Sequence, residues 1–535
     1  MRNNHSKSKP ILIISCVFCI FYFTVNIFPN KAGSENIAMV ELFEPDESVP
    51  YPYILDMIKP ANTLKDAIKN FAFYDYYFYG YPVFGLSAFL LLPIKWVGSI
   101  ENIPITMMIL RQMISVFPMI LTILILVYWR TEFKDYRSII LLLLLFSIPA
   151  VVQNNFWWHP DSLAILFAVL VLFFLSSDKL KFGKNFYLAA IFCGFSAGTK
   201  VIGFYFFFTI FIVLLLGLLS KKISFGKFFI SAFGFLFVMS TAYLFSNPIL
   251  IYEGVRTRFF QVMLEQSRFL SKGYEVAYAK GLSAALPQLN EFFGNIPFLL
   301  TIFTINILGL LRKKKRFNHI LILSWSIPLS VMVFFISHFK FQYWIPVFLP
   351  LASTIGLFLP TKQDIKNGLN ILNKNQRWFL LLKFLLLGLV IVQITIFFIS
   401  DIHRYTDQLA RSENNPAIQF YGTILDVLED RVDDRLYVYH DVRMYVPPTG
   451  DWTTESVFEM LSYSFIHTRG FDVLLLLQSR IDDYTNPDLI AIDQEKLDLA
   501  QEFYEDADQE ILSGYGLLFR NDFGLIFVRD GLIHP

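Results

Sequence analysis

Four consecutive residues, Glu44-Pro45-Asp46-Glu47, follow the first long apolar run of the chain and set acidic side chains close together around a proline. A carboxylate at a lipid–water boundary can take the proton of an acceptor hydroxyl, a task that needs a single well-placed base. By spacing alone, the same cluster also reads as the start of a solvated acidic loop. A second cluster, Asn154-Asn155-Phe156-Trp157-Trp158-His159-Pro160-Asp161, falls in a short turn between two apolar runs. It sets an imidazole and an acid, His159 and Asp161, at the mouth of a helix bundle, where ionisable groups are costly enough to suggest function. The plainer reading is an interfacial tryptophan pair with Asp161 as a helix cap.

Cations on the same face would ease the departure of a phosphate leaving group. The candidates are Lys200 in Ala197-Gly198-Thr199-Lys200, Arg111 in the second apolar run, His338 and Lys340 in Ser337-His338-Phe339-Lys340, and Arg256 and Arg258 after Asn247-Pro248. Each alone could simply snorkel to the interface; the shared face makes them a set. Asp46, Glu47, Asp161 and His159 could also offer oxygen and nitrogen ligands to a divalent cation, although nothing in their spacing compels a metal. No other cofactor is indicated. The three cysteines, Cys16, Cys19 and Cys193, all lie inside apolar runs, which leaves the exported segments without an internal disulfide and excludes a cysteine metal cluster.

The elements that must position these groups are membrane helices. Of 535 residues, 55% are hydrophobic and only 17% charged, more apolar surface than one soluble core needs. A net charge of +1 excludes a strongly basic nucleic-acid binder. Eleven apolar runs approach the length needed to cross a bilayer, near 11–28, 103–129, 138–153, 161–176, 186–199, 201–219, 226–246, 293–311, 319–337, 343–360 and 378–400. Starting from a cytoplasmic N-terminus with Arg2, Lys7 and Lys9, every second connection is basic: Arg130/Lys134/Arg137, Lys179/Lys181/Lys184, Lys221/Lys222/Lys227, Arg312 to Arg316, and Lys362/Lys366/Lys374/Arg377. This alternation holds only if Tyr81 to Val97 is a juxtamembrane helix and not a crossing. The first run is long for a signal peptide and lacks a small-residue cleavage site, so it is read as an uncleaved span.

Residues 1–400 therefore form an all-α polytopic membrane domain, with 29–102 as a long first outer loop. Residues 401–535 turn polar and form a small α/β domain on the outer face, with a helix around Ala417 to Leu428 and strands at Leu436 to Tyr439, Val473 to Leu477 and Leu525 to Val528. Val255 to Leu270 has the helical period and mixed charge of an interfacial helix.

The ordered motifs resemble the GT-C superfamily of membrane glycosyltransferases, in particular the family 39-like branch of protein O-mannosyltransferases and aminoarabinose transferases. The resemblance rests on Pro45-Asp46-Glu47, Gly80-Tyr81-Pro82, Leu110-Arg111-Gln112-Met113-Ile114-Ser115, His159-Pro160-Asp161, Gly198-Thr199-Lys200, Ser246-Asn247-Pro248 and Gln342-Tyr343-Trp344-Ile345-Pro346, and covers residues 10 to 400. The turn departs from the family pattern, which more often has a basic residue and a threonine before the acid. Tyr445-Val446-Pro447-Pro448 is only loosely similar to the variable outer domains of such enzymes.

The resemblance implies transfer of a sugar from a polyprenyl-phosphate donor to an acceptor hydroxyl on the extracytoplasmic side, with inversion. Asp46 would be the base, with Glu47 supporting it or exchanging roles with it. Asp161 and His159 would shape the pocket, and Lys200 with Arg111 or Lys340 would face the lipid phosphate. The partners would be the lipid-linked donor, a glycan, lipid or protein acceptor, and membrane lipids. A bacterial plasma membrane fits the basic loops, and an endoplasmic-reticulum membrane is topologically equivalent. A transporter or flippase of cell-envelope glycan precursors is the competing expectation, against which the chain shows no matching hydrophobic halves. A non-catalytic scaffold would tolerate loss of the outer carboxylates.

Overall fold

The computed structural model describes residues 9–98, 100–312, 315–367, 374–429, 435–447 and 449–532; Arg2, Lys7, Lys313, Lys314 and Pro448 lie outside them. Seven helices among the described residues are long and apolar enough to cross a membrane: Lys9–Lys31, Ile103–Thr131, Asp161–Asp178, Val201–Leu219, Phe225–Phe245, Arg316–Ile336 and Arg377–Ala410. An eighth crossing is made if Leu282–Phe293 and Ile296–Leu311, bent by 89° at their junction, count as one span. The chain is an integral, multi-pass membrane protein. The expected runs 138–153, 186–199 and 343–360 are shorter helices. Ser147 and Ile148 break the first of them into Arg137–Phe146 and Pro149–Asn154, because a proline disfavours helical backbone in the residue before it.

Helix boundaries follow local chemistry. Asn102 caps the helix that starts at Ile103, its side chain accepting from the Ile105 amide at 3.2 Å, with Pro104 in the first turn. The same helix widens into a π-turn at Arg111–Val116, a distortion that often re-aims a side chain. Asp161–Asp178 opens directly after Pro160, so the Asp161 carboxylate sits at the positive end of the helix dipole. These helices alternate in direction. Lys179 and Lys184 therefore lie at the opposite end of the bundle from Asp161 and Lys200.

The first outer loop is largely helical, with Ile37–Phe43, Pro45–Ser48, Tyr51–Met57, Leu64–Ala72 and Tyr81–Trp96. Val40, Tyr51, Ile54 and Phe84 pack in one apolar cluster with Leu110 and Trp158, which joins this loop to the bundle. Three of the sequence motifs meet here on glycine. The Gly80 amide donates to the Thr199 carbonyl at 3.3 Å, and a Cβ on Gly80 would lie 1.6 Å from the Gly198 carbonyl oxygen. A Cβ on Gly198 would lie 1.9 Å from the Ser246 hydroxyl, while Asn247 donates to the Gly198 carbonyl at 3.4 Å and accepts from the Tyr81 amide at 3.4 Å. Only residues without a side chain allow this approach.

The C-terminal domain is α/β. Its strands β1 (Tyr437–His440), β2 (Thr453–Glu455), β3 (Val473–Leu477), β4 (Tyr515–Arg520) and β5 (Gly524–Arg529) form one sheet in the order β2-β1-β3-β5-β4. β1 runs parallel to β2 and β3, and β5 antiparallel to β3 and β4. Helices at Tyr463–Arg469 and Gln494–Asp508 cover one sheet face, where Leu474, Phe503, Tyr504 and Phe527 share a buried cluster. The expected interfacial helix is Glu253–Lys272. The segment after it joins the domain through a bridge between Val276 and Ala491 and an Ile492 amide to Glu275 carbonyl bond of 2.8 Å.

The Gly80 contact yields a prediction. Gly80→Val should lower the melting temperature of the solubilised protein by several degrees, whereas Gly254→Val, where nothing lies within 4 Å, should do much less. Equal melting curves for Gly80→Val and the unmodified chain would refute the close approach.

Candidate active site

Glu47 and Arg111 form an ion pair in which neither side chain has any exposed surface. Arg111 Nε donates to Oε1 at 2.9 Å and Nη2 to Oε2 at 2.5 Å, while Nη1 donates to the Asn30 carbonyl at 2.9 Å. The Trp158 amide also donates to Glu47. One carboxylate thus ties the acidic loop, the π-turn and the tryptophan turn together. Neither Glu47 nor Arg111 faces an open cavity, although Arg111 was expected beside the lipid phosphate. Glu44 is held by Arg411 at 3.3 Å, and Arg411 also donates to the Ala32 carbonyl at 2.8 Å. Burial, with the Glu47 charge adding to it, pushes the Glu44 carboxyl up to about 7. Between these two anchored acids, Asp46 remains exposed.

Asp161 is buried and contacts both His159 and Lys200, one carboxylate oxygen to each. His159 is stacked on Trp157 at 4.4 Å between ring centroids and meets the edge of Tyr79 at 4.9 Å. The turn is fastened by Ser115, whose hydroxyl donates to the Trp157 carbonyl at 2.6 Å. The Lys200 ammonium lies 4.5 Å from the centre of the Tyr343 ring. Tyr79, Tyr343 and Lys340 all lie within electrostatic reach of both Asp46 and Asp161.

A chamber of about 660 Å³ opens beside Asp46, with Glu44, Tyr79, Trp157, His338 and Lys340 in its wall. Burial lowers the Lys340 ammonium from its ordinary value against the pull of Asp46, and burial beside Lys340 lowers the His338 imidazole to about 4. A narrow cavity of about 60 Å³, lined by Lys200, Tyr343, Gly80 and Gly198, adjoins it. Beyond lies a third cavity of about 420 Å³ with a wall of Val201, Phe204, Phe260, Met263 and Ile336. Gln266 and Leu270 line all three, so the cavities lie side by side, an apolar groove, the narrow cavity at Lys200 and the chamber at Asp46.

No protein-family model matches the chain, and a search of the curated proteins finds no match. Solved structures do match. ArnT of Cupriavidus metallidurans in the apo state superposes with a TM-score of 0.51 at 11% identity, over 98% of this chain and 99% of that one. The same ArnT bound to undecaprenyl phosphate gives 0.52. The oligosaccharyltransferase AglB of Archaeoglobus fulgidus, in complex with an inhibitory peptide and a dolichol-phosphate, gives 0.50 at 11% identity over 97% of this chain and 75% of that one. The chain has the GT-C fold.

Within this GT-C fold the sequence candidates divide. Asp46, Asp161, His159, Lys200, Lys340 and His338 gather around the joined cavities. Arg256 is exposed on the Glu253–Lys272 helix and lines none of the three cavities; Arg258 pairs with Asp75 at 3.3 Å on the surface. Among the described residues no three His, Cys, Asp or Glu side chains converge as metal ligands. Glu47 is taken up by Arg111, and Asp161 by His159 and Lys200, so the four candidate ligands do not fit one ion. Sequence reasoning passed over Tyr79, Gln266, Arg411 and Arg443. A tyrosine-rich run from Tyr74 to Tyr81 could have drawn attention to Tyr79, but Gln266 and Arg411 carry no local signal.

Removing one partner of a buried ion pair leaves an uncompensated charge, at a cost of roughly 3–5 kcal/mol. Arg111→Ala should therefore lower thermal stability in detergent sharply, while Asp46→Asn leaves it unchanged. If both variants melt with the unmodified protein, the pair does not carry the loop.

Proposed function

We propose that the chain is a glycosyltransferase that moves a sugar from a polyprenyl-phosphate donor to an acceptor hydroxyl. The observation that carries this reading is the row of adjoining cavities that runs from an apolar groove, past a lysine, to an exposed carboxylate. An isoprenoid tail suits the Phe204, Met263 and Ile336 groove, and its phosphate would then stand at Lys200, with Lys340 adding positive charge. The solved relatives named above bind undecaprenyl phosphate and a dolichol-phosphate, lipids of this class.

In the proposed step, the acceptor oxygen forms a bond to the anomeric carbon as the bond from that carbon to the phosphate oxygen breaks. The bonding electrons leave with the phosphate, where Lys200 and Lys340 stabilise the growing charge. The hydroxyl proton passes to Asp46, and direct displacement inverts the anomeric centre. Asp161 acts through Lys200: it holds the ammonium beside the Tyr343 ring and offsets its charge before donor binding. His159, wedged between Trp157 and Tyr79, fixes Asp161 from the other side. Glu47 has a positioning role, because it anchors the helix of Asp46 without reaching the chamber.

Asp46→Asn should reduce transfer from a labelled polyprenyl-phosphate sugar at least a hundredfold, in the range expected for loss of a general base, with donor KM little changed. Lys200→Ala should raise donor KM as well. Full turnover in Asp46→Asn would remove the base from the mechanism.

The same reading sets the chamber and C-terminal domain outside a bacterial plasma membrane and the N-terminus inside. Single cysteines at the exposed positions Lys65 and Gly450 should then react with an impermeant thiol reagent added to intact cells, and one at Lys222 should react only after lysis. Labelling at Lys222 from outside would reverse the threading.

A further inference from the structure

The C-terminal domain does more than cap the bundle, because it supplies two side chains, Arg443 and Phe458, to the wall of the Asp46 chamber. Several other cations around the site already have partners. Lys200 meets Asp161, Arg411 meets Glu44, Arg480 meets Asp441 at 3.1 Å, and Arg258 meets Asp75. Arg443 has neither an ion-pair nor a hydrogen-bond partner among the described residues, though it lies within electrostatic reach of Glu44.

The backbone holds it there deliberately. Arg443 has a φ of +72°, a left-handed conformation that a long side chain adopts only when its surroundings impose it. They do so through Asp441, which is fully buried and accepts from the Leu477 amide at 2.7 Å and the Tyr439 hydroxyl at 2.9 Å. The Asp441 carbonyl in turn accepts from the Met444 amide at 3.1 Å, which closes the turn that presents Arg443. The domain cannot easily swing away. Glu275 accepts from the Met460 amide at 2.7 Å, Ser456 donates to Glu41 at 2.8 Å, and Asn36 donates to the Tyr445 hydroxyl at 3.0 Å.

Lys200 and Lys340 account for the donor phosphate, so Arg443 is a second positive pole in the same chamber. In an in-line displacement the acceptor enters opposite the leaving phosphate and cannot share its cations. Much of the remaining chamber wall is aromatic, with Tyr76, Tyr79, Trp157, Tyr274 and Tyr278. Flat rings with polar edges suit the faces and hydroxyls of a sugar. We infer that Arg443 is a specificity-determining residue that binds the acid group of an acidic saccharide acceptor, a uronic acid or a phosphorylated sugar. The inference rests on the transferase reading for the identity of the other pole.

Binding tests it apart from turnover. The full chain in nanodiscs, loaded with undecaprenyl phosphate, would be titrated with methyl glucuronide, methyl glucoside 6-phosphate and neutral methyl glucoside. One of the acidic probes should bind about tenfold more tightly than the neutral one, the scale of a charged hydrogen bond, and the tighter of the two identifies the acid. Arg443→Gln should erase that preference without changing neutral-probe affinity, and Arg443→Lys should restore part of it. Equal affinities for all three probes in the unmodified chain, or a preference that survives Arg443→Gln, would overturn the assignment. An acidic preference combined with full turnover in Asp46→Asn would instead locate the fault in the transfer mechanism and leave the Arg443 site standing.

Discussion

A carboxylate and a guanidinium that have both given up all contact with water can persist only if each satisfies the other. Glu47 and Arg111 do this at the point where three separate stretches of chain meet, and the Trp158 amide and Asn30 carbonyl complete the shell. The rest of the site depends on that pairing. It sets the short Pro45–Ser48 helix against the bundle, so that Asp46 is held at the chamber while its neighbour is buried. It also fixes the start of the turn that delivers His159 and Asp161. Two adjacent acids in one motif therefore meet opposite surroundings, Glu47 buried as an anchor and Asp46 exposed at the chamber.

The second requirement is close approach. Glycines at 80 and 198 let the first outer loop and the end of the Lys184–Thr199 helix touch, and Asn247 bridges them with its amide. The narrow cavity at Lys200 is walled by these same glycines, so a backbone junction shapes the space beside that lysine. Rigid packing on the far side is supplied by the C-terminal domain. Its hold on the segment around Glu275 keeps Tyr274 and Tyr278 in the chamber wall. The C-terminal domain thus becomes part of the chamber wall by geometry, through Arg443 and Phe458.

Several elements were plain in the sequence. The strand Val473 to Leu477 is a run of five apolar residues bounded by polar ones, and the structure has β3 over those residues. The Ala417 to Leu428 pattern became the helix Pro416–Val427, because a helical apolar period survives any tertiary context that can bury it. β4 was not anticipated, since Tyr515–Arg520 alternates imperfectly and its register with β5 contains an irregularity between Leu517 and Phe519. Run 138–153 is broken by Pro149 into two helices, while 186–199 and 343–360 lie in helices of 16 and 17 residues, shorter than the other spans.

For the site, residue type was enough to collect Asp46, Glu47, Asp161, His159, Lys200 and Arg111 as one set of candidates. It could not say which charges cancel. Coulombic pairing and burial depend on distances between residues as far apart as 47 and 111, or 44 and 411, and no local pattern encodes them. The sequence by itself determined that the chain is a multi-pass membrane protein with a C-terminal α/β domain, because hydrophobic length and period are local properties. Only the tertiary structure decided that Glu47 is an anchor, that Asp46 stands free, and that Arg443 reaches the same chamber, because exposure is a property of the packed chain.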